Sequence, residues 1–146
     1  MGYYTQITDA DFLIPKANEA KALAALKALN GPEYNSQKQG GSFDASGKSE
    51  AWYSWMDVDY DQKVSSCAEV FAMLGFEVEE DADGLRLTGY DNKTGQEDLF
   101  LNAVAPYVAA GSFLAWRGED GTLYRFEFDG TKMIEMEARV SWVTSR

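Results

Sequence analysis

The chain has no histidine, one cysteine and three prolines among its 146 residues. Each shortage excludes something. Without histidine there is no imidazole base and no Cys/His nucleophile pair within the chain. Metal spacings and Cys-x-x-Cys are absent too, so no metal or other cofactor is expected. Cys67 stands alone and cannot form an internal disulfide. Its apolar neighbours Val64, Ala68, Val70 and Phe71 predict a buried, unreactive thiol. Gly40-Gly41 lacks the Lys-Ser/Thr that completes a phosphate loop, and there is no Gly-x-Ser-x-Gly elbow. No run approaches the ~18 apolar residues of a membrane span. No basic region followed by an apolar stretch marks a secretory signal. The expectation is a soluble cytoplasmic protein.

Positive charge is also scarce. There are 13 basic residues against 24 acidic ones, a formal net charge of -11. Phosphate backbones are held by clustered Lys and Arg, and no such cluster exists. Nucleic acid and anionic membranes are therefore excluded as direct partners. The charge instead suits a basic protein surface, such as that of a nucleic-acid-binding protein. Homo-oligomerisation stays open.

What is present is a core. Hydrophobic residues make up 45% and aromatic residues 14% of the chain, enough for one domain over residues 1–146. Tyr3 to Thr8 reads as a strand. Ala22, Leu23, Leu26 and Leu29 form a helical stripe after Asn18, a candidate cap. Residues 31–50 are rich in Gly, Ser, Gln and Lys, with only Tyr34 and Phe43 as anchors, and predict a mobile loop. A second helix is expected from Asp59 or Asp61, with Val64, Cys67, Ala68, Phe71 and Leu74 inward and Gly75 as its stop. Phe76–Glu79 and Leu85–Thr88 flank an Asp83-Gly84 turn as a hairpin. Thr94-Gly95-Gln96-Glu97 matches a capping box ahead of a third helix, which Pro106 ends.

The last third predicts a meander of three strands, 112–117, 122–128 and 132–142. Tyr124, Phe126 and Phe128 share one face of the second. Ile134, Met136, Ala138, Val140 and Trp142 share one face of the third, opposite Glu135, Glu137, Arg139 and Ser141. An antiparallel meander of this kind has one buried and one wet face. The assembled expectation is α+β. One antiparallel sheet of about five or six strands has about three helices packed on its apolar face.

Three groups are candidates for function. Trp52 and Trp55 sit in the densest aromatic patch. Aromatic patches are more often core, but Trp is also enriched at interface centres. Asp57, Asp59 and Asp61 resemble the opening of a calcium loop, but Gln62 and Ala68 stand where that loop needs Gly and a bidentate acid. An acidic helix start accounts for them. Glu77, Glu79, Glu80, Asp81 and Asp83 form a second acidic run, which reads as a solvated hairpin tip. All ten residues are candidate partner contacts, and no catalytic residue is assigned.

Two stretches resemble a loose group of small uncharacterised bacterial and phage proteins. They are the start Met1-Gly2-Tyr3-Tyr4-Thr5 and the end running from Gly118-Glu119-Asp120-Gly121 through Tyr124-Arg125-Phe126 to Val140-Ser141-Trp142. The group carries no known activity, so no functional residue transfers. The leading expectation is a small acidic, non-enzymatic binding protein of the inhibitor or immunity type. The alternative is a ligand-binding or histidine-independent enzyme domain with a pocket between sheet and helices.

Overall fold

The computed structural model describes residues 3–38, 40–43 and 49–145. Met1-Gly2 of the aromatic start, the side chain of Phe43, and part of segment 31–50 lie outside that description. The strands are β1 (Tyr4–Asp11), β2 (Leu13–Pro15), β3 (Gly40–Phe43), β4 (Ser49–Trp52), β5 (Phe76–Glu80), β6 (Gly84–Lys93), β7 (Phe113–Gly118), β8 (Leu123–Phe128) and β9 (Met133–Glu137). The helices are α1 (Glu19–Ala28), α2 (Tyr60–Lys63), α3 (Cys67–Leu74) and α4 (Glu97–Val104).

The fold is α+β, with one antiparallel sheet and helices on its apolar face. β1 and β2 run almost end to end along β6, so the sheet reads β5, β6, β1 with β2, β7, β8, β9. β1 pairs with β6 on one side and β7 on the other, although those partners lie far along the chain. The strand order, which periodicity cannot supply, thus puts the first strand in the middle. β7, β8 and β9 form the expected meander.

The core lies between sheet and helices. Ala22 and Leu26 of α1, Val70, Phe71 and Leu74 of α3, and Phe100, Leu101 and Val104 of α4 meet Phe12, Ile14, Leu85, Leu87, Leu114, Trp116, Phe126 and Phe128. Trp116 is the aromatic hub, with rings of Phe76, Tyr90, Tyr124 and Phe126 within 6.0 Å, centroid to centroid. Cys67 is buried, and burial pushes its thiol up to about 11.

Three local expectations change. The single helix expected after Asp59 is two, because Val64 is extended and Ser66 caps α3 by accepting the Glu69 N–H at 3.2 Å. Asn18 occupies the cap position of α1 but its amide donates to the Tyr107 carbonyl at 3.1 Å. Segment 31–50, read as a loop, holds a 3-10 helix at Pro32–Gln37 and the β3–β4 hairpin. Lys38 closes the 3-10 turn by donating to the Asn30 carbonyl and the Asn35 side chain.

The largest correction is one of register. Ile134 and Met136 are exposed, and the strand expected to run to 142 ends at Glu137, leaving Val140 and Trp142 beyond it and exposed, Trp142 at 94%. The connection from Asp129 to Lys132 is closed by the Asp129 carboxylate, which accepts the N–H groups of Thr131 and Lys132 at 2.9 Å each. That connection sets Met133 opposite Phe128, Glu135 opposite Phe126 and Glu137 opposite Tyr124. Residues directly opposite each other share a face. Glu135 and Glu137 therefore share the inner face with Phe126 and Tyr124, and Ile134 and Met136 turn outward. A one-residue shift is enough to exchange the two faces of a strand.

Candidate functional site: an acidic groove with an aromatic floor

Five of the eight sequence-predicted acids, Asp57, Asp59, Asp61, Asp81 and Asp83, find a cation or a hydrogen-bond donor. Lys63 bridges Asp57 at 3.5 Å and Asp59 at 3.2 Å, and the Asp59 hydrogen bond raises the Lys63 pKa. Asp61 accepts from the Asn30 amide at 2.7 Å. At the β5–β6 turn, Arg86 meets Asp81 at 2.8 Å, Asp83 at 3.6 Å and Asp11 at 3.8 Å. Its hydrogen bond holds the Asp81 carboxyl below the usual range. Glu77, Glu79 and Glu80 are largely solvated on β5. In the aromatic patch the fully buried ring is Tyr53, whose hydroxyl donates to the Leu29 carbonyl at 2.8 Å. Trp52 is half-buried, and Trp55 is 47% exposed.

Four other acids come together elsewhere. A groove of about 820 Å³ opens between the N-terminal turn of α4 and the inner face of β8 and β9. Glu97, Asp98, Glu135 and Glu137 line it, with Tyr3, Tyr124 and Phe126, and no Lys or Arg is among its lining residues.

Each wall has a local cause. Glu97 is buried, yet its carboxylate accepts from the Thr94 hydroxyl at 2.5 Å and from the Gly95 N–H at 2.7 Å. The start of α4 adds a field that favours negative charge there. The Thr94–Glu97 pair of the capping-box motif does meet, but through side chains and Gly95, because Gln96 takes the cap position. Gln96 instead accepts from the Ser54 N–H at 3.2 Å and donates to the Gln37 carbonyl. It thereby fixes the start of α4 against the 32–37 turn and against Ser54-Trp55.

The floor is equally fixed. The Tyr124 ring lies parallel to Trp116 at 5.8 Å, and its hydroxyl shares a 2.7 Å hydrogen bond with buried Thr5. Burial pushes the phenol up to about 12, and the nearby charges of Glu97 and Glu135 add to the effect. Tyr124 is therefore a neutral surface at physiological pH. Tyr3 closes one end. Its hydroxyl donates to Asp120, and its carbonyl accepts the Thr94 N–H at 2.6 Å. Tyr3 rests on Gly118, where a Cβ would come 1.6 Å from the phenol oxygen. A side chain at position 118 would displace the Tyr3 ring.

Trp55 joins the groove from behind. Its φ of 72° is in the left-handed region, a conformation that strains a bulky residue by roughly 1–3 kcal/mol. The indole packs against Gly95, where a Cβ would come 2.7 Å from its nitrogen. Gly95 itself lines the groove. One of the sequence-predicted residues thus abuts the site. The residues that make it were missed: Tyr3, Glu97, Asp98, Tyr124, Phe126, Glu135 and Glu137. The alternation of Glu135 with Glu137, together with a four-residue connection at 129–132, was the available signal.

Such a groove attracts cations in two ways. Carboxylates supply charge, and aromatic faces attract a cation placed over them by roughly 0.5–2 kcal/mol. Among the described residues no group of three or more acidic or cysteine side chains is placed to hold a metal ion. In comparisons with protein-family models, curated proteins and solved structures, nothing matches this chain.

Proposed function

We propose that this is a non-enzymatic binding protein whose groove receives a cationic segment of a partner protein. One observation carries the reading: four carboxylates line an aromatic-floored groove that has no basic residue in its lining. Lys63 already faces Asp57 and Asp59, and Arg86 faces Asp81 and Asp83, which favours the groove over those four carboxylates as the contact. A partner whose basic surface serves nucleic acid would be occluded by such contact, the action of an inhibitor or immunity protein of bacterial or phage type. The volume of about 820 Å³ also suits a second reading, a small cationic ligand, because ligand sites typically span roughly 300–1,000 Å³.

Titration with a short Lys/Arg-rich peptide, followed by amide shifts in NMR spectra, tests the proposal. Shifts at residues 94–98, 121–126 and 135–138 that fade with added salt are expected. Shifts confined to 57–61 or 77–83, or no binding at low salt, would overturn it. Tighter binding of a small polyamine than of the peptide would favour the second reading.

A further inference from the structure

The groove borders an open strand edge. β9 pairs with β8 on one side, and among the described residues no strand pairs with its other side. An unpaired edge presents a row of N–H and C=O groups that another chain can complete. The two faces of β9 differ sharply. Glu135 and Glu137 face the groove, while the register turns Ile134 and Met136 to the outer face, 40% and 43% exposed, with Met136 also bordering the groove at the strand edge. Alternate residues along a strand are about 6.6–6.8 Å apart. A strand laid on this edge would bring every second side chain over Glu135, Glu137 and the aromatic floor. The side chains between them would reach Ile134 and Met136.

Resting on the cation-binding reading, we infer that the partner segment binds by adding to β9 as a further strand. Its pattern is alternating, with Lys or Arg at every second position toward the groove and apolar residues between. The main chain supplies hydrogen bonds and the alternation supplies specificity, which is how strand addition works in general. A second copy of this chain fits poorly. Antiparallel pairing of β9 with itself would bring Glu135 and Glu137 against their own copies, and like charges facing across a pair are unfavourable.

Three peptides of equal composition decide the matter. One alternates Lys and Val, one has the Lys and Val in separate blocks, and one is the alternating peptide with N-methylated backbone amides. The alternating peptide should bind at least about tenfold more tightly than either control, the effect of losing one or two net hydrogen bonds. Hydrogen exchange of β9 amides should slow only with that peptide. Equal binding of all three would overturn strand addition while leaving the cation groove standing. No binding by any would remove both. A dimer with protected β9 amides in the absence of peptide would assign the edge to self-association and overturn the inference.

Discussion

At one edge of the sheet β5 carries Glu77, Glu79 and Glu80, and at the other β9 carries Glu135 and Glu137. The first run is the more obvious in the sequence, continuing into Asp81 and Asp83. Yet Arg86 draws that end toward balance, and the β5–β6 ladder shifts register between Glu77 and Val78. Such irregularities blunt an edge against further pairing. β9 has an unbroken register, and its acids share a hollow with Glu97 and Asp98. Density of charge along the chain is thus a poor guide to a site. The acids of the proposed groove come from two separated segments that the topology brings together with no Lys or Arg in the lining.

The strongest test of this contrast concerns what holds the floor in place. Trp116 is 1% exposed and supports Tyr124. Trp116→Ala should destabilise the protein by about 3–5 kcal/mol, as for other large buried aromatics, in urea unfolding. A loss under ~1 kcal/mol would mean that the floor does not depend on the hub.

Charge reversal then compares the ends directly. Glu135→Lys with Glu137→Lys should weaken binding of a cationic peptide by about tenfold or more, a change of ~1.4 kcal/mol. Glu79→Lys with Glu80→Lys makes the same change in net charge at the other edge and should weaken it by less than about threefold. Similar losses from both pairs would reduce the groove to a contributor to overall charge. Isothermal titration at two salt concentrations reads the difference.

The β5 end should show itself in acid. The Asp81 pKa is depressed below its ordinary 3.8, chiefly by the Arg86 hydrogen bond. A depressed carboxyl stabilises the fold above the unfolded value, and that stability is lost as pH falls through the folded value. Arg86→Leu should therefore flatten part of the stability loss between about pH 4 and pH 2 and leave neutral binding intact. Unfolding midpoints across that range would show it. An unchanged acid profile would mean that the ion pair contributes nothing measurable, as many exposed pairs do.

Much of the architecture was legible before the structure. Period-two runs marked the meander, the Asp83-Gly84 turn marked the β5–β6 hairpin, and Gly75 and Pro106 marked helix ends. Those signals are local, and local physics settles them. The groove was not legible, for two reasons. Its walls come from α4 and β9, which only the sheet order places together. The face of β9 also hangs on how Asp129 closes its turn. The stripe Ile134, Met136, Ala138, Val140 and Trp142 looked like the better core face because apolar alternation is the usual mark of burial. Along β9 that stripe faces outward at Ile134 and Met136, and beyond Glu137 the chain is no longer a strand. Segment 31–50 was read from composition, which does not register the reach of Lys38 or the distant anchor Gln96.

The smallest effect is expected at the end of that stripe. Trp142 is 94% exposed, so Trp142→Ala should change stability by no more than about 0.5 kcal/mol. A larger loss in urea unfolding would show that residues beyond β9 are covered in solution and that the β9 edge is less open than described.

β1 makes the longest-range pairings of the sheet. It precedes the other described strands in the chain, but its partners include residues as distant as Lys93 and Gly118. At translation rates of about 5–20 residues per second it waits on the order of ten seconds for β7. The β5–β6 and β7–β8–β9 hairpins join near neighbours and can form early, whereas insertion of β1 between them closes the longest loops and comes late. α4 follows one hairpin, and β8 and β9 belong to the other. The groove therefore forms only once β1 has joined the two hairpins, and a nascent chain halted before β7 lacks the β8 and β9 walls of the groove.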